Sequence, residues 1–418
     1  CSTGDDIMKK SIIFYRSQFI LCVASFPLGI AAGALCSFFG TVLSKITDFS
    51  GGHYPTLLPF LGLAGALIIW GYNRFGKDSA KGISLFFEVH QGTRSEVPPI
   101  LVPMVMASTW LTHLFGGSAG REGAAVQIGG TLGAIAGSKL RTPESNRILM
   151  ISGMAAGFGG LFRTPIAAVF YSLEVFQCGS LEYSALLPSL VSAYTASFVS
   201  GLLGIGKFTW ALSCNIKLSF PVAMKLAALG IIFSLIGMLF AVLLKKTKSL
   251  LPRAVKNDVV RTLAAGTLIG LLSIACFKGR YSGLGSNLIL SSFSGDVMPW
   301  DFALKLLFTV LTLAAGYTGG EFTPLFAIGA SAGAVLASLF GLPAELCAAL
   351  GYTGVFASAT NTFFAPVFIG AEIFGARYIP MFAIVCALAY ICNGGISIYP
   401  LQKRPGGGFG RKKAAPAL

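Results

Sequence analysis

Sixteen of the 418 residues are Asp or Glu. Four glutamates, Glu122, Glu174, Glu321 and Glu372, stand within long apolar stretches. A carboxylate surrounded by lipid or protein is costly, so by default it marks an ion or proton path; the alternative is a helix-end group that reaches water or a partner. Glu122 has the strongest context, in the glycine-rich run Gly116-Gly-Ser-Ala-Gly-Arg-Glu-Gly123. If that turn opens a helix, its free N–H groups and positive dipole end attract an anion. A carboxylate on the same turn can fill the same place. Protonated or displaced, it would open the place, so one group could link anion exchange to proton movement. Glu174 and Glu372 read instead as helix-end groups, with Glu372 capping or pairing with Arg377. His113, just ahead of the turn, reads as a packing or hydrogen-bonding residue. The nine cysteines carry no CxxC spacing and the three histidines no mutual metal spacing. Neither a disulfide framework nor a metal site is indicated, and no organic cofactor is expected.

Such residues need a scaffold inside a bilayer, and the composition supplies one. Hydrophobic residues make up 54% of the chain and charged residues 11%, against about 25% charged in a soluble domain. This excludes a disordered chain, an ordinary soluble enzyme and, despite a net charge of +15, a nucleic-acid binder. The chain reads as an all-α polytopic membrane protein. Several apolar blocks, such as 123–138, fall short of the roughly 20 residues a spanning helix needs. Others, such as 147–177 and 343–375, are too long for one span and contain Gly or Pro. Broken segments of this kind bring half-helix ends to the membrane midplane in transporters.

Basic groups lie between the apolar blocks, as the positive-inside rule requires. They occur at Lys9, Lys10 and Arg16, at Lys245, Lys246, Lys248, Arg253 and Lys256, and at Lys403, Arg404, Arg411, Lys412 and Lys413, with Lys139, Arg141 and Arg147 as a further group. Both termini and the central loop would then be cytoplasmic. The chain also repeats itself. Arg121–Ala134 aligns with Glu321–Ala334 two hundred positions on, and Thr164-Pro165 with Ala365-Pro366 one further. Small residues at Gly29 and Gly33, at Gly129, Gly133 and Gly137, and at Gly329 and Gly333 predict tight helix packing. The expected organisation is an N-terminal segment over 1–10, a transport domain over 11–401 and a basic cytoplasmic tail over 402–418. The two repeats would span about 11–205 and 215–401.

Three ordered motifs carry a family resemblance over most of the chain. Gly120-Arg-Glu-Gly-Ala-Ala-Val-Gln127 resembles the GREGP-x-VQ motif of the CLC family of chloride channels and anion/proton antiporters. Gly320-Glu-Phe-Thr-Pro324 resembles its GxFxP motif, and Tyr399 in Gly394-Gly-Ile-Ser-Ile-Tyr-Pro400 its central tyrosine. The departures resemble the bacterial fluoride/proton antiporters of that family. Ile83 replaces the chloride-contacting serine, Ala124 the proline of GREGP, and Val175 the internal proton-transfer glutamate. The second motif adds Glu321 and Thr323. The resemblance implies two inverted-topology repeats of broken, tilted helices and a homodimer with one pathway per subunit. It implies that Glu122 is the gating glutamate, that Thr323 hydrogen-bonds it when it swings in, and that Glu321 is an extra acid supporting coupled transport. The anion site would be lined by the Gly120, Arg121 and Gly123 turn, by N–H groups near Phe322 and by the Tyr399 hydroxyl, with Ile83 and Phe86 as an apolar wall.

The expected function is fluoride export in exchange for protons across a bacterial cell membrane. A chloride/proton antiporter or a passive anion channel on the same scaffold is the near alternative. An intramembrane hydrolase is a distant one, because no Ser/Lys, paired-Asp or HExxH constellation has the required spacing.

Overall fold

The computed structural model describes residues 2–140 and 144–404. Cys1, Arg141 and the stretch from 405 on, with Arg411, Lys412 and Lys413, lie outside the described residues. Among the described residues there are seventeen α-helices and no β-strand beyond two isolated bridges. The first helix runs from Ser2 to Gly51, so residues 2–10 continue directly into it.

Sequence order already displays two halves. The series Ser84–His90, Leu101–Leu114, Glu122–Lys139, Ser145–Phe162, Pro165–Glu174 and Leu186–Leu202 is followed by Ser286–Ser294, Asp301–Ala315, Phe322–Phe340, Ala344–Thr360, Phe364–Phe374 and Ile379–Ile391. Each half opens on a long helix, Ser2–Gly51 or Phe220–Ala254. The fold is that of two inverted-topology repeats. The block 147–177 is broken at Arg163, whose φ of 56° turns the chain before Pro165. The block 343–375 is broken in the same way at Asn361, φ 56°. Among the described residues six helices are long and apolar enough to cross a membrane, and others, such as Leu101–Leu114 and Phe364–Phe374, are too short to do so alone.

The glycine spacing does what it predicts. Helix Glu122–Lys139 lies against Ser145–Phe162 so closely that a methyl on Gly129 would sit 2.1 Å from the Gly153 carbonyl oxygen. One on Gly133 would sit 2.0 Å from that of Leu149. The second half copies this packing, with Gly329 against Gly351 O and Gly333 against Cys347 O. In lipid, apolar surface gains little by being paired, so close backbone contact of this kind holds helices together. The outer faces are apolar too. Phe19, Val23, Phe26 and Ile30 form an exposed stripe on the first helix, and Ile231, Leu235 and Leu239 another on Phe220–Ala254. Stripes of that size suit acyl chains rather than water.

Candidate functional site

The two glycine-rich motifs become two turns, Gly116–Arg121 and Gly316–Glu321, each opening a helix. They run antiparallel and touch, with the Gly120 N–H donating to the Gly320 carbonyl at 2.6 Å. Only glycine permits this approach. A methyl at Gly120 would lie 2.9 Å from Gly320 O, and one at Gly320 would lie 2.8 Å from Gly123 N. The first-turn N–H groups of a helix have no intrahelical acceptor. Two helix starts, one from each half, therefore bring their free donors and positive dipole ends to one buried place.

Glu122 occupies that place. It is the first residue of its helix and 1% exposed. Its Oε2 accepts from the Thr323 hydroxyl and from the Arg121 N–H at 3.2 Å. Among the described residues Oε1 accepts no hydrogen bond; it lies 3.7 Å from Arg121 Nε, which likewise has no hydrogen-bond partner among them. A buried carboxylate with one oxygen unsatisfied is an expensive arrangement. It leaves the side chain held mainly by one hydroxyl from the opposite repeat. That suits a group which must leave its seat.

Two cavities border the two helix starts and share no lining residue. One, of about 160 Å³, is bounded by Arg121, Glu122, Thr323, Leu284, Ser286 and Tyr352 among others. The second, of about 340 Å³, is bounded by Ile83, Gly123, Glu321, Tyr399, Gln127 and Lys248 among others. Most of the expected site residues thus gather at these two cavities. Glu321 precedes the helix Phe322–Phe340 and is half-buried at the cavity wall. Its side chain makes no hydrogen bond or ion pair among the described residues. Phe322 is fully buried, its ring edge-to-face with Phe158, Tyr171 and Phe356. What it offers the site is therefore backbone. Phe86 departs from expectation. Ile83 faces the larger cavity, but the Phe86 ring is wholly buried against Gly130 and Met154 and lines neither cavity. Being three residues along the same short helical turn, it supports Ile83 from behind, the Phe86 N–H donating to Ile83 O at 3.1 Å.

Sequence reasoning missed Tyr171. Its hydroxyl pairs with that of Tyr399 at 2.7 Å, and it is fully buried. Only its place in an otherwise apolar run after Pro165 hinted at a partner, since a buried tyrosine hydroxyl needs one. The remaining glutamates are helix caps, and reciprocal ones. Glu174, at the end of Pro165–Glu174, accepts from the N–H groups of Phe363, Phe364 and Ala365 at 3.2, 3.1 and 2.8 Å. Glu372, on Phe364–Phe374, accepts from Ile166 and Ala167 at 3.4 and 2.9 Å. Glu372 does not pair with Arg377, which donates to the Cys214 carbonyl and lies over the Tyr378 ring. His113 bridges Thr109 O at 2.8 Å and Ala119 O at 3.0 Å through its two ring nitrogens, tying the first turn to the helix before it.

The arrangement brings helix starts from the two halves together around one buried carboxylate. The family described as voltage gated chloride channel matches residues 64–394, and the chain belongs to it, the CLC channels and transporters. A chloride/fluoride channel protein of Pseudomonas syringae pv. tomato is 34% identical over 383 residues, covering 90% of this chain and 84% of that protein. The crystal structure of a CLC-type fluoride/proton antiporter matches with 46% identity and a TM-score of 0.91, over 93% of this chain and 98% of the other. A slow cyanobacterial Cl⁻/H⁺ antiporter shares the fold, with a TM-score of 0.77 at 21% identity, over 91% of this chain and 96% of that one.

Proposed function

We propose that this chain is a secondary active transporter that exports fluoride in exchange for protons. The observation that carries this reading is the buried Glu122 carboxylate, seated where two helix starts converge and held by the Thr323 hydroxyl of the other repeat. Its negative charge stands in for an anion at the meeting dipoles. Protonation removes the charge that holds it there, and fluoride then takes the seat. The carboxyl carries its proton away and returns as a carboxylate after releasing it. One group thus alternates with the anion and accounts for exchange. Glu321, without a hydrogen bond or ion pair among the described residues, supports proton delivery at the larger cavity, and Tyr399 offers a hydroxyl to the anion within the same wall. Ile83 supplies an apolar surface where a chloride-selective relative would have a serine. A small, tightly hydrated anion must trade its water for close donors, which the paired N–H groups provide. The resemblance at 46% identity to a fluoride/proton antiporter supports fluoride as the substrate.

Lys248 at the larger cavity, with Lys245 and Lys246 on the same helix, supports a cytoplasmic side for that cavity by the positive-inside rule. The smaller cavity then faces outward, both termini are cytoplasmic, and the membrane is that of a bacterial cell. The domain limits follow the reading of the sequence, with one transport domain over 11–401, and the family resemblance supports a homodimer with a pathway in each subunit. The test is anion flux from liposomes holding the purified protein, fluoride and chloride side by side under an imposed pH gradient. Fluoride moving uphill with chloride slow is the expected result. Fast downhill flux of both anions would make the protein channel-like and overturn the exchange mechanism.

A further inference from the structure

Lys305, on the helix Asp301–Ala315, is wholly buried. Its ammonium donates to Ser118 Oγ at 2.9 Å, Gly283 O at 2.7 Å and Tyr281 O at 3.1 Å, all neutral acceptors. Among the described residues it forms no ion pair. The acid nearest in sequence, Asp301, is fully engaged elsewhere. Arg280 clasps it with two N–H bonds at 3.0 and 2.7 Å, and the Tyr281 hydroxyl and Met298 N–H complete its shell at 2.8 and 2.9 Å. Burying an ammonium without a countercharge is expensive. The field of a charge in a buried, low-dielectric setting is felt more strongly than that of one in water.

The location gives that field a use. Ser118 belongs to the turn that leads into Glu122, and Thr309 Oγ1 holds the same hydroxyl at 2.9 Å. On the other side, a methyl on Gly285 would meet Lys305 Cε at 2.8 Å and Nζ at 3.3 Å. Leu284 and Ser286, the neighbours of Gly285, line both the small cavity holding Glu122 and a second, of about 460 Å³, that also has Lys278 and Arg280 in its wall. The ammonium therefore lies directly behind the 284–286 segment that borders both cavities.

We propose that Lys305 is a positioning residue for transport. Its ammonium draws an anion past the 284–286 segment to the gate, and its bond to Ser118 anchors the gate turn. This rests on the anion-transport reading and the outward orientation of the smaller cavity above, but not on proton coupling or on fluoride being the preferred anion.

The test uses the full chain in liposomes, with initial anion flux measured against concentration supplied at either face. Lys305→Gln keeps donors for the neutral acceptors and loses the charge; Lys305→Arg keeps the charge. Lys305→Gln should raise KM at the outer face about tenfold or more, as loss of electrostatic steering does. KM at the inner face should stay near wild type, and Lys305→Arg should rescue the outer value. A folded Lys305→Gln that lowers only the maximal rate, with outer KM unchanged, would make the lysine structural and overturn the proposal. Should Lys305→Gln fail to fold, Thr309→Asp puts a carboxylate beside the same hydroxyl and should raise outer KM likewise; a wild-type value there overturns the proposal. If the wild type moves anions without protons, or favours chloride, the exchange reading fails. The KM comparison, run with whichever anion moves, still decides Lys305.

Discussion

Replacing Thr323 by Val removes the single hydroxyl that the second repeat gives to the Glu122 carboxylate and changes little in shape. The bond is buried and charge-assisted, and Glu122 is 1% exposed, so water does not compensate for its loss. A hydrogen bond to a charged group contributes about 1.5–3 kcal/mol. The other Oε2 contact, from the Arg121 N–H at 3.2 Å, remains, and Oε1 has no hydrogen bond to fall back on. The seated carboxylate should therefore lose most of that range, which at about 1.4 kcal/mol per tenfold shifts its occupancy roughly ten- to a hundredfold. If anion and carboxylate compete for one seat, fluoride binding must tighten by the same factor. Calorimetric titration of fluoride into the purified Thr323→Val protein reads this directly. The control is Glu122→Gln, in which the charge is already gone and Thr323→Val should change affinity by less than about threefold, the difference being the coupling between the two side chains. Unchanged affinity in Thr323→Val, or an equal change in both backgrounds, would refute competition for a shared site.

Three further outcomes follow from the same geometry. Glu122→Gln should abolish pH-driven anion uptake into liposomes, because the amide neither carries a proton nor substitutes for an anion; retained pumping would remove Glu122 as the coupling group. Tyr399→Phe should weaken fluoride binding about tenfold, the loss of one hydrogen bond to an anion, while Tyr171→Phe, which leaves the Tyr399 hydroxyl in place, should do much less. Equal affinity for Tyr399→Phe and wild type would take that hydroxyl out of the site. Glu174→Ala frees three N–H groups at a helix start and should cost about 1–2 kcal/mol of stability, seen as a lower melting temperature than Glu372→Ala, which frees two. Folded Glu174→Gln should keep full proton coupling, and a loss of coupling there would put Glu174 on the proton path.

Much of this protein was legible in its sequence, because a bilayer imposes constraints that composition must obey. Low charge, apolar blocks of irregular length and basic clusters between them specify a polytopic helical protein with broken segments. The offset of two hundred residues between the Arg121 and Glu321 motifs specifies two related halves. Glycines at every fourth position specify where helices touch. Glu122 stood out because a glutamate among glycines in an apolar run has few structural uses. Other features depend on residues far apart in the chain. That Thr323 bonds Glu122, that Tyr171 pairs with Tyr399, and that Glu174 and Glu372 cap each other's helices all require the two repeats to be docked. Docking also withdrew Phe86 from the cavity wall and left Ile83 there, since the Phe86 ring is taken up against Gly130 of the helix Glu122–Lys139. Lys305 is the clearest instance. In sequence it is one lysine in an amphipathic-looking helix, four residues after an aspartate that could serve as its partner. Only the tertiary structure gives that aspartate to Arg280 and leaves the lysine buried among neutral acceptors, without an ion pair among the described residues. Local pattern fixes which residues lie in the membrane; which charge finds a partner there is decided by what packs against it.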